Sequence, residues 1–418
     1  MSRRSRFVLV CAVGSVVCLS FLQCSDTVCP PEKTAPRELT AAEEQVVGAY
    51  NAFGLRLFRQ IVAESENDNV FISPVSVSMA LGMTMNGAAG GTLDDMRSTL
   101  EFGGMTLEEI DQCYRSLIDL LVGLDPEVVF GIGNSIWYRL GLPVRQEFLA
   151  GCSDYFDAEV AELDFADPAA ADTINNWVKT ETHGRIDQIV DKPVDPMAVM
   201  YLINAIYFKG TWTYQFDPAF TENSQFTRPD GSPAPCKMMS QPEPGKTSQY
   251  RYLADEALEA IDLPYADGWF SMTILLPREG KDVDQVIAGL TGEQWTALLD
   301  RLAEKEGTLA MPRFKLEYEK RLNGVLAALG MGVAFTGSAD FSAMTEGGGL
   351  FINEVKHKTF VEVNEEGTEA AAVTSVGMTD SMPETFEMRV DRPFVFAIRE
   401  RHSGTILFMG RITDPGVE

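Results

Sequence analysis

The sequence predicts an α+β fold in one large domain, and three observations carry that prediction. Apolar residues recur at helical spacing early in the chain. Later runs are rich in β-branched and aromatic residues and bounded by Gly, Pro or charge. No Pro- or Gly-rich linker divides residues 40–415. In chain order, Val46, Tyr50, Phe53, Leu57 and Ile61 line one face of a helix starting near Thr40-Ala41. Thr106-Leu107-Glu108-Glu109 is a capping box, opening a helix whose apolar side holds Ile110, Tyr114, Leu117, Ile118 and Leu121. Strands are expected over Val128–Tyr138, Val199–Phe208, Phe270–Leu276 and Phe394–Ile398. A 418-residue chain that is 45% hydrophobic has ample material for a core and carries no signature of disorder or collagen.

Ahead of the fold lies an address. Arg3, Arg4 and Arg6 precede an apolar run from Phe7 to Leu22, too short to span a bilayer comfortably, which reads as a secretory signal over residues 1–23. Residues 24–38, with Pro30, Pro31 and Pro36, read as a flexible tether, and 39–418 as the folded domain. The expected location is therefore extracellular or periplasmic. Cys24 follows a poor lipobox, so lipid anchoring at Cys24 is the alternative and the one route to a membrane. A net charge of -27 repels phosphates, which disfavours nucleic acid and heparin-like partners.

Chemistry is sparse. Cys113, Cys152 and Cys236 share no metal or redox spacing and are expected as isolated thiols, with a disulfide between two of them as the alternative in an exported protein. Only His183, His357 and His402 are available to act as a base, none in a hydrolase motif, and no phosphate-binding glycine loop occurs. No enzyme, metal site or cofactor is expected.

One segment stands out. Lys358-Thr359-Phe360-Val361-Glu362-Val363-Asn364 alternates as a strand and runs into Glu365-Glu366-Gly367-Thr368-Glu369-Ala370-Ala371-Ala372-Val373-Thr374-Ser375. On a two-residue period Thr368, Ala370, Ala372, Thr374, Val376 and Met378 share one face and are small or apolar. No proline interrupts Gly367 to Met382, so the loop can itself become a strand, with Gly367 free to act as its hinge.

Asn364 to Ala372 resembles the hinge of the serpin family almost residue for residue. The resemblance extends to Asn69–Ser76, to Leu202–Trp212, to Arg392–Phe396 and to Ile406–Arg411, in the family's order along most of the chain. It implies three β-sheets with about nine helices, an exposed reactive loop, and an exported prokaryotic member that acts as a monomer. It implies no enzyme but a suicide inhibitor of serine, or alternatively cysteine, endopeptidases. The cleaved loop inserts into the main sheet while the protease is still bound as a covalent acyl complex. By the same resemblance Ser73, Ser76, Asn204 and His357 form the shutter beneath the opening strands. Trp212 marks the loop's entry point, and Glu365 with Arg313 forms a surface salt bridge at the hinge.

Counting fourteen residues past Gly367, as the family does, gives a reactive bond at Ser381–Met382, whereas counting back eleven from Pro393 gives Met382–Pro383. A proline after the cleaved bond obstructs most serine proteases, which favours Ser381 as the recognised residue, with Met378 and Met382 as second choices. Small or Met side chains point to elastase-, chymotrypsin- or subtilisin-like targets. The helix at Thr106–Leu121 lacks a basic face, so no heparin activation is expected. The rival reading is a non-inhibitory member acting as carrier or chaperone, which typically departs from the small-residue hinge.

Overall fold

The structure, a computed structural model, describes residues 36–195, 197–242, 246–347, 349–368 and 385–416. The proposed signal at 1–23, most of the tether, and Glu369, Ala370, Ala371, Ala372, Met378, Ser381, Met382 and Pro383 lie outside the described residues. Residues 38–418 form one compact unit. Nine α-helices and three hydrogen-bonded sheets are found among the described residues, the architecture the resemblance implies.

The first helix, Ala41–Glu64, begins where the sequence places it, because Thr40 and Glu43 satisfy each other's backbone amides in a reciprocal cap. All five of its predicted core residues are buried. Its far end is closed by Arg411, a fully buried guanidinium that donates to the carbonyls of Ser65 and Asp68 and pairs with Asp284 at 2.7 Å. A cation at a helix C-terminus answers the orphan carbonyls and the negative end of the dipole. The helix Pro74–Met85 is buried along nearly its whole length. Gly82 lets it approach the Tyr114 side chain so closely that a Cβ would sit 2.8 Å from two ring carbons and the hydroxyl oxygen. Tyr114 belongs to the helix Leu107–Leu121, which carries the predicted capping box at Thr106.

A ten-stranded sheet, which includes Phe270–Pro277, Phe394–Glu400 and Ile406–Ile412, packs the main core. The four-stranded sheet is ordered Gly367–Thr368, Met200–Thr211, Val128–Arg139, Ala158–Leu163. The two-stranded sheet pairs Phe314–Arg321 with Lys356–Val363. Cys113, Cys152 and Cys236 are buried and unpaired, the isolated thiols the spacing implies. Among the described residues no helix is long and apolar enough to cross a membrane.

Candidate functional site

The site is a slot between two strands. Met200–Thr211 pairs on one side with Val128–Arg139, and on the other side, among the described residues, Gly210 and Thr211 pair with Thr368 and Gly367. Lys356–Val363 pairs with Phe314–Arg321 and, among the described residues, with no other strand. No ladder among the described residues joins the two strands, yet both line the same openings: Met200 to Ala205 with Lys356 to Lys358 below, and Ile206 to Phe208 with Phe360 to Glu362 above. The lower opening is a cavity of about 430 Å³. Two facing edges of unpaired backbone N–H and C=O groups are a template for one more strand.

At the top of the slot the hinge has already entered. Asn364 turns the chain, its N–H donating to the Gly367 carbonyl at 3.0 Å while its side-chain oxygen accepts from the amides of Glu366 and Gly367. Trp212 grips this turn, donating its backbone N–H to the Glu366 carbonyl and its indole N–H to the Asn364 carbonyl. The indole stacks on Tyr265 at 4.4 Å, and the Tyr265 hydroxyl meets the Thr368 hydroxyl at 2.8 Å. Burial pushes the Tyr265 phenol far above its ordinary range, so it stays a neutral hydrogen-bonding group at any working pH. Glu365 differs from expectation: its carboxylate is only 7% exposed and is not a surface group. It lies 3.6 Å from Arg313 and accepts from the Thr221 hydroxyl at 2.6 Å, while its carbonyl takes the Phe216 N–H. Thr221, Phe216 and Tyr265 have no local sequence signal, because each reaches the hinge from a distant segment.

Gly367 is required by contact as well as by conformation. With φ 152, an added Cβ would fall 2.2 Å from the Gly210 carbonyl oxygen and 2.8 Å from the Thr211 Cα, both backbone atoms that cannot swing away. Gly367→Ala is therefore expected to expel the hinge from the slot while leaving the fold intact. Hydrogen exchange at the Trp212 amide checks this, and unchanged protection would contradict it.

Lower down, three of the four residues that the resemblance assigns to a shutter meet. The Ser73 N–H donates to His357 Nε2 at 3.0 Å, the Ser73 hydroxyl donates to the Leu407 carbonyl, and the Ser76 N–H donates to the Ser73 hydroxyl. Asn204 lines the same cavity but bonds elsewhere, its amide donating to Asn134 Oδ1 at 2.8 Å. Asn134, which the sequence does not flag, donates in turn to the Phe156 carbonyl. A carbonyl can only accept, so this chain fixes both amide orientations and leaves Asn204 Oδ1 buried without a partner. His357, whose Nε2 accepts, carries its proton on Nδ1.

Burial pulls His357 down to about 4, so it is neutral. Burial pushes the Asp111 carboxyl, at the interface with the helix Pro74–Met85, up to about 7 despite the Asn86 amide that donates to it at 2.9 Å. The two act oppositely on stability. The His357 contribution is complete above about pH 6.5 and is lost as pH falls toward 4, whereas the Asp111 contribution is complete below about pH 4 and is lost as pH rises through 7. Each amounts to about 2–4 kcal/mol, so the parent is expected to show a flat profile between pH 4 and pH 7. Asp111→Asn should uncover a loss toward acid and His357→Gln a loss toward neutrality. Melting curves across this range that stay parallel to the parent's would contradict the assignment.

The fold and this slot define an α+β protein of three sheets with an open seam between two strands of one layer. A family model described as "Serpin (serine protease inhibitor)" matches residues 48–415, and the chain belongs to the serpin family. It is 36% identical to the human leukocyte elastase inhibitor over 89% of this chain and all of that protein. The native structure of the thermophilic serpin tengpin superposes with a TM-score of 0.80 at 31% identity, covering 91% of this chain and 96% of that one. Human thyroxine-binding globulin, solved as a complex with its hormone, superposes with the same TM-score of 0.80 at 30% identity, covering 90% and 100%.

Proposed function

We propose that this protein is an exported suicide-substrate inhibitor of serine endopeptidases, with elastase-, chymotrypsin- or subtilisin-like enzymes as targets. The observation that carries the reading is the slot itself: two strand edges that no ladder joins among the described residues, with Gly367 and Thr368 laddered at its top. The protease serine attacks the carbonyl of Ser381, the amine of Met382 departs, and an ester joins loop and enzyme. The freed loop enters the slot, carrying the ester-linked protease away from the geometry that deacylation needs.

The register of the first two pairs fixes where each later residue lands. Continued one residue at a time from Gly367 opposite Thr211, it sets Ala370 opposite Phe208, Ala372 opposite Ile206, Thr374 opposite Asn204 and Met378 opposite Met200. The inward face is thus filled by small or apolar side chains over the whole strand. Thr374 arrives opposite Asn204, whose buried Oδ1 is an acceptor without a donor. A threonine hydroxyl can donate to it.

The likeness to thyroxine-binding globulin favours a second reading, a non-inhibitory carrier. The small residues Thr368, Ala370, Ala372 and Thr374 on one face of the segment weigh against it, since a carrier has no need of an insertable strand. The deciding experiment mixes the protein with pancreatic elastase, chymotrypsin and subtilisin and reads the products on denaturing gels and by mass spectrometry. A denaturant-resistant adduct with a released C-terminal fragment starting at Met382 is expected. Clean loop cleavage with all three enzymes still active and no adduct would reject inhibition of these targets.

A further inference from the structure

The cavity of about 430 Å³ at the lower end of the slot is large for a protein interior, where voids bigger than a water molecule are few. It lies within the range of small-molecule sites, about 300–1,000 Å³. Its walls are chiefly apolar. Leu81 of the helix Pro74–Met85, Leu202 of Met200–Thr211, and Phe341, Met344 and Ile352 from the segment before Lys356–Val363 all line it. The lining reaches the surface at Met197, which at 82% is the most exposed large apolar residue among those described, and at Phe351, 48% exposed. An apolar space with apolar side chains standing in solvent at its opening favours an apolar occupant over water.

The charged groups of the same lining specify the other end of that occupant. Lys356 pairs with Asp191 at 3.1 Å, Lys358 with Glu317 at 2.6 Å, and Glu354 lies 3.7 Å from Arg321. Asp195 accepts from the Asn353 amide at 3.2 Å and from the Met197 N–H at 2.8 Å. His357 is buried and neutral. Arg139 differs. It is the exposed last residue of Val128–Arg139, and its guanidinium makes no ion pair and no hydrogen bond among the described residues. An acidic chain thus supplies a carboxylate to both other cations of this lining and none to Arg139. A guanidinium is a planar fork of donors that matches a carboxylate through two parallel hydrogen bonds.

We propose that this cavity binds a free fatty acid, with its carboxylate on the Arg139 guanidinium and its hydrocarbon chain among Leu81, Leu202, Phe341, Met344 and Ile352. The two ends contribute differently. An ion pair open to water strengthens binding by about fivefold at most, whereas each buried methylene strengthens it roughly three- to fourfold. The chain therefore supplies the affinity, and the carboxylate selects an acid over an alcohol of the same length. The cavity is complete without the reactive loop, so the site stands apart from the insertion reading.

Calorimetric titration of the intact protein with octanoate, decanoate and dodecanoate, each below its micelle concentration, tests the proposal. Affinity is expected to rise roughly three- to fourfold per methylene and to level off once the chain fills the cavity. Decanol should bind roughly three- to fivefold more weakly than decanoate. Arg139→Gln should erase that difference without moving the melting curve, because the side chain makes no polar contact in the fold. Ile352→Trp, which fills the space from its wall, should weaken decanoate and decanol alike by at least about tenfold. No binding of any of the three acids, heats that do not depend on chain length, or a preference for decanoate that survives Arg139→Gln would overturn the proposal. Retention of the protein on phosphatidylglycerol vesicles with no uptake of free decanoate would overturn it in favour of a membrane surface.

Discussion

Thr368→Arg is expected to turn the inhibitor into a substrate, lowering the yield of covalent protease adduct at least tenfold without unfolding the protein. Thr368 is the first inward residue of the hinge, 3% exposed and hydrogen-bonded to Tyr265 beneath the stacked Trp212. A guanidinium at that place has no carboxylate within the described contacts, and burying an unpaired charge costs several kcal/mol. Because Thr368 is already inside the slot, the variant should also free the two hinge pairs with Gly210 and Thr211 before any protease arrives. The chain keeps a solvated alternative for the hinge, so the rest of the fold is spared. The measurement is titration against the target enzyme with gels of the products. Adduct formation at the parental stoichiometry would show that the inward positions do not govern insertion, and the mechanism would fall.

Cleavage of the loop should raise the melting temperature on the order of 20 °C. In the register fixed by Gly367 and Thr368, the inserted strand runs to Met378 opposite Met200, the first residue of its neighbour. It gains a ladder on each side, roughly ten backbone hydrogen bonds at about 1 kcal/mol net apiece, and replaces an open cavity with packed side chains. On the insertion mechanism proposed above, the intact form persists because a barrier separates it from that arrangement, which makes its stability kinetic. Within the cleaved form, Thr374→Val should remove about 1–3 kcal/mol, since Asn204 Oδ1 would be sealed in without a partner. Calorimetry of intact and loop-cleaved protein, with and without this substitution, tests both claims. An unchanged melting point after cleavage would point to an unstrained carrier.

Local chemistry made much of this molecule readable in advance. The caps at Thr40 and Thr106, the five buried residues of the first helix, the long strands and the hinge glycine all lie in short stretches whose spacing or side-chain type has a direct backbone consequence. Glu365 was misplaced on the surface, because a glutamate in a polar run looks solvated until Thr221 and Arg313 arrive around it. Asn134 and Tyr265 gave no signal, since a lone Asn or Tyr in a strand acquires a role only from the partner opposite it.

The sequence by itself determined the class of fold, since periodicity and residue size specify which face of a strand can be buried. Only the tertiary structure decided which strand edges come to face each other. Met200–Thr211 and Lys356–Val363 are far apart in the chain, and the unpaired Asn204 oxygen exists only once such distant segments are brought together. Spacing along a chain records a face, whereas a partner across a sheet is set by the packing of the whole.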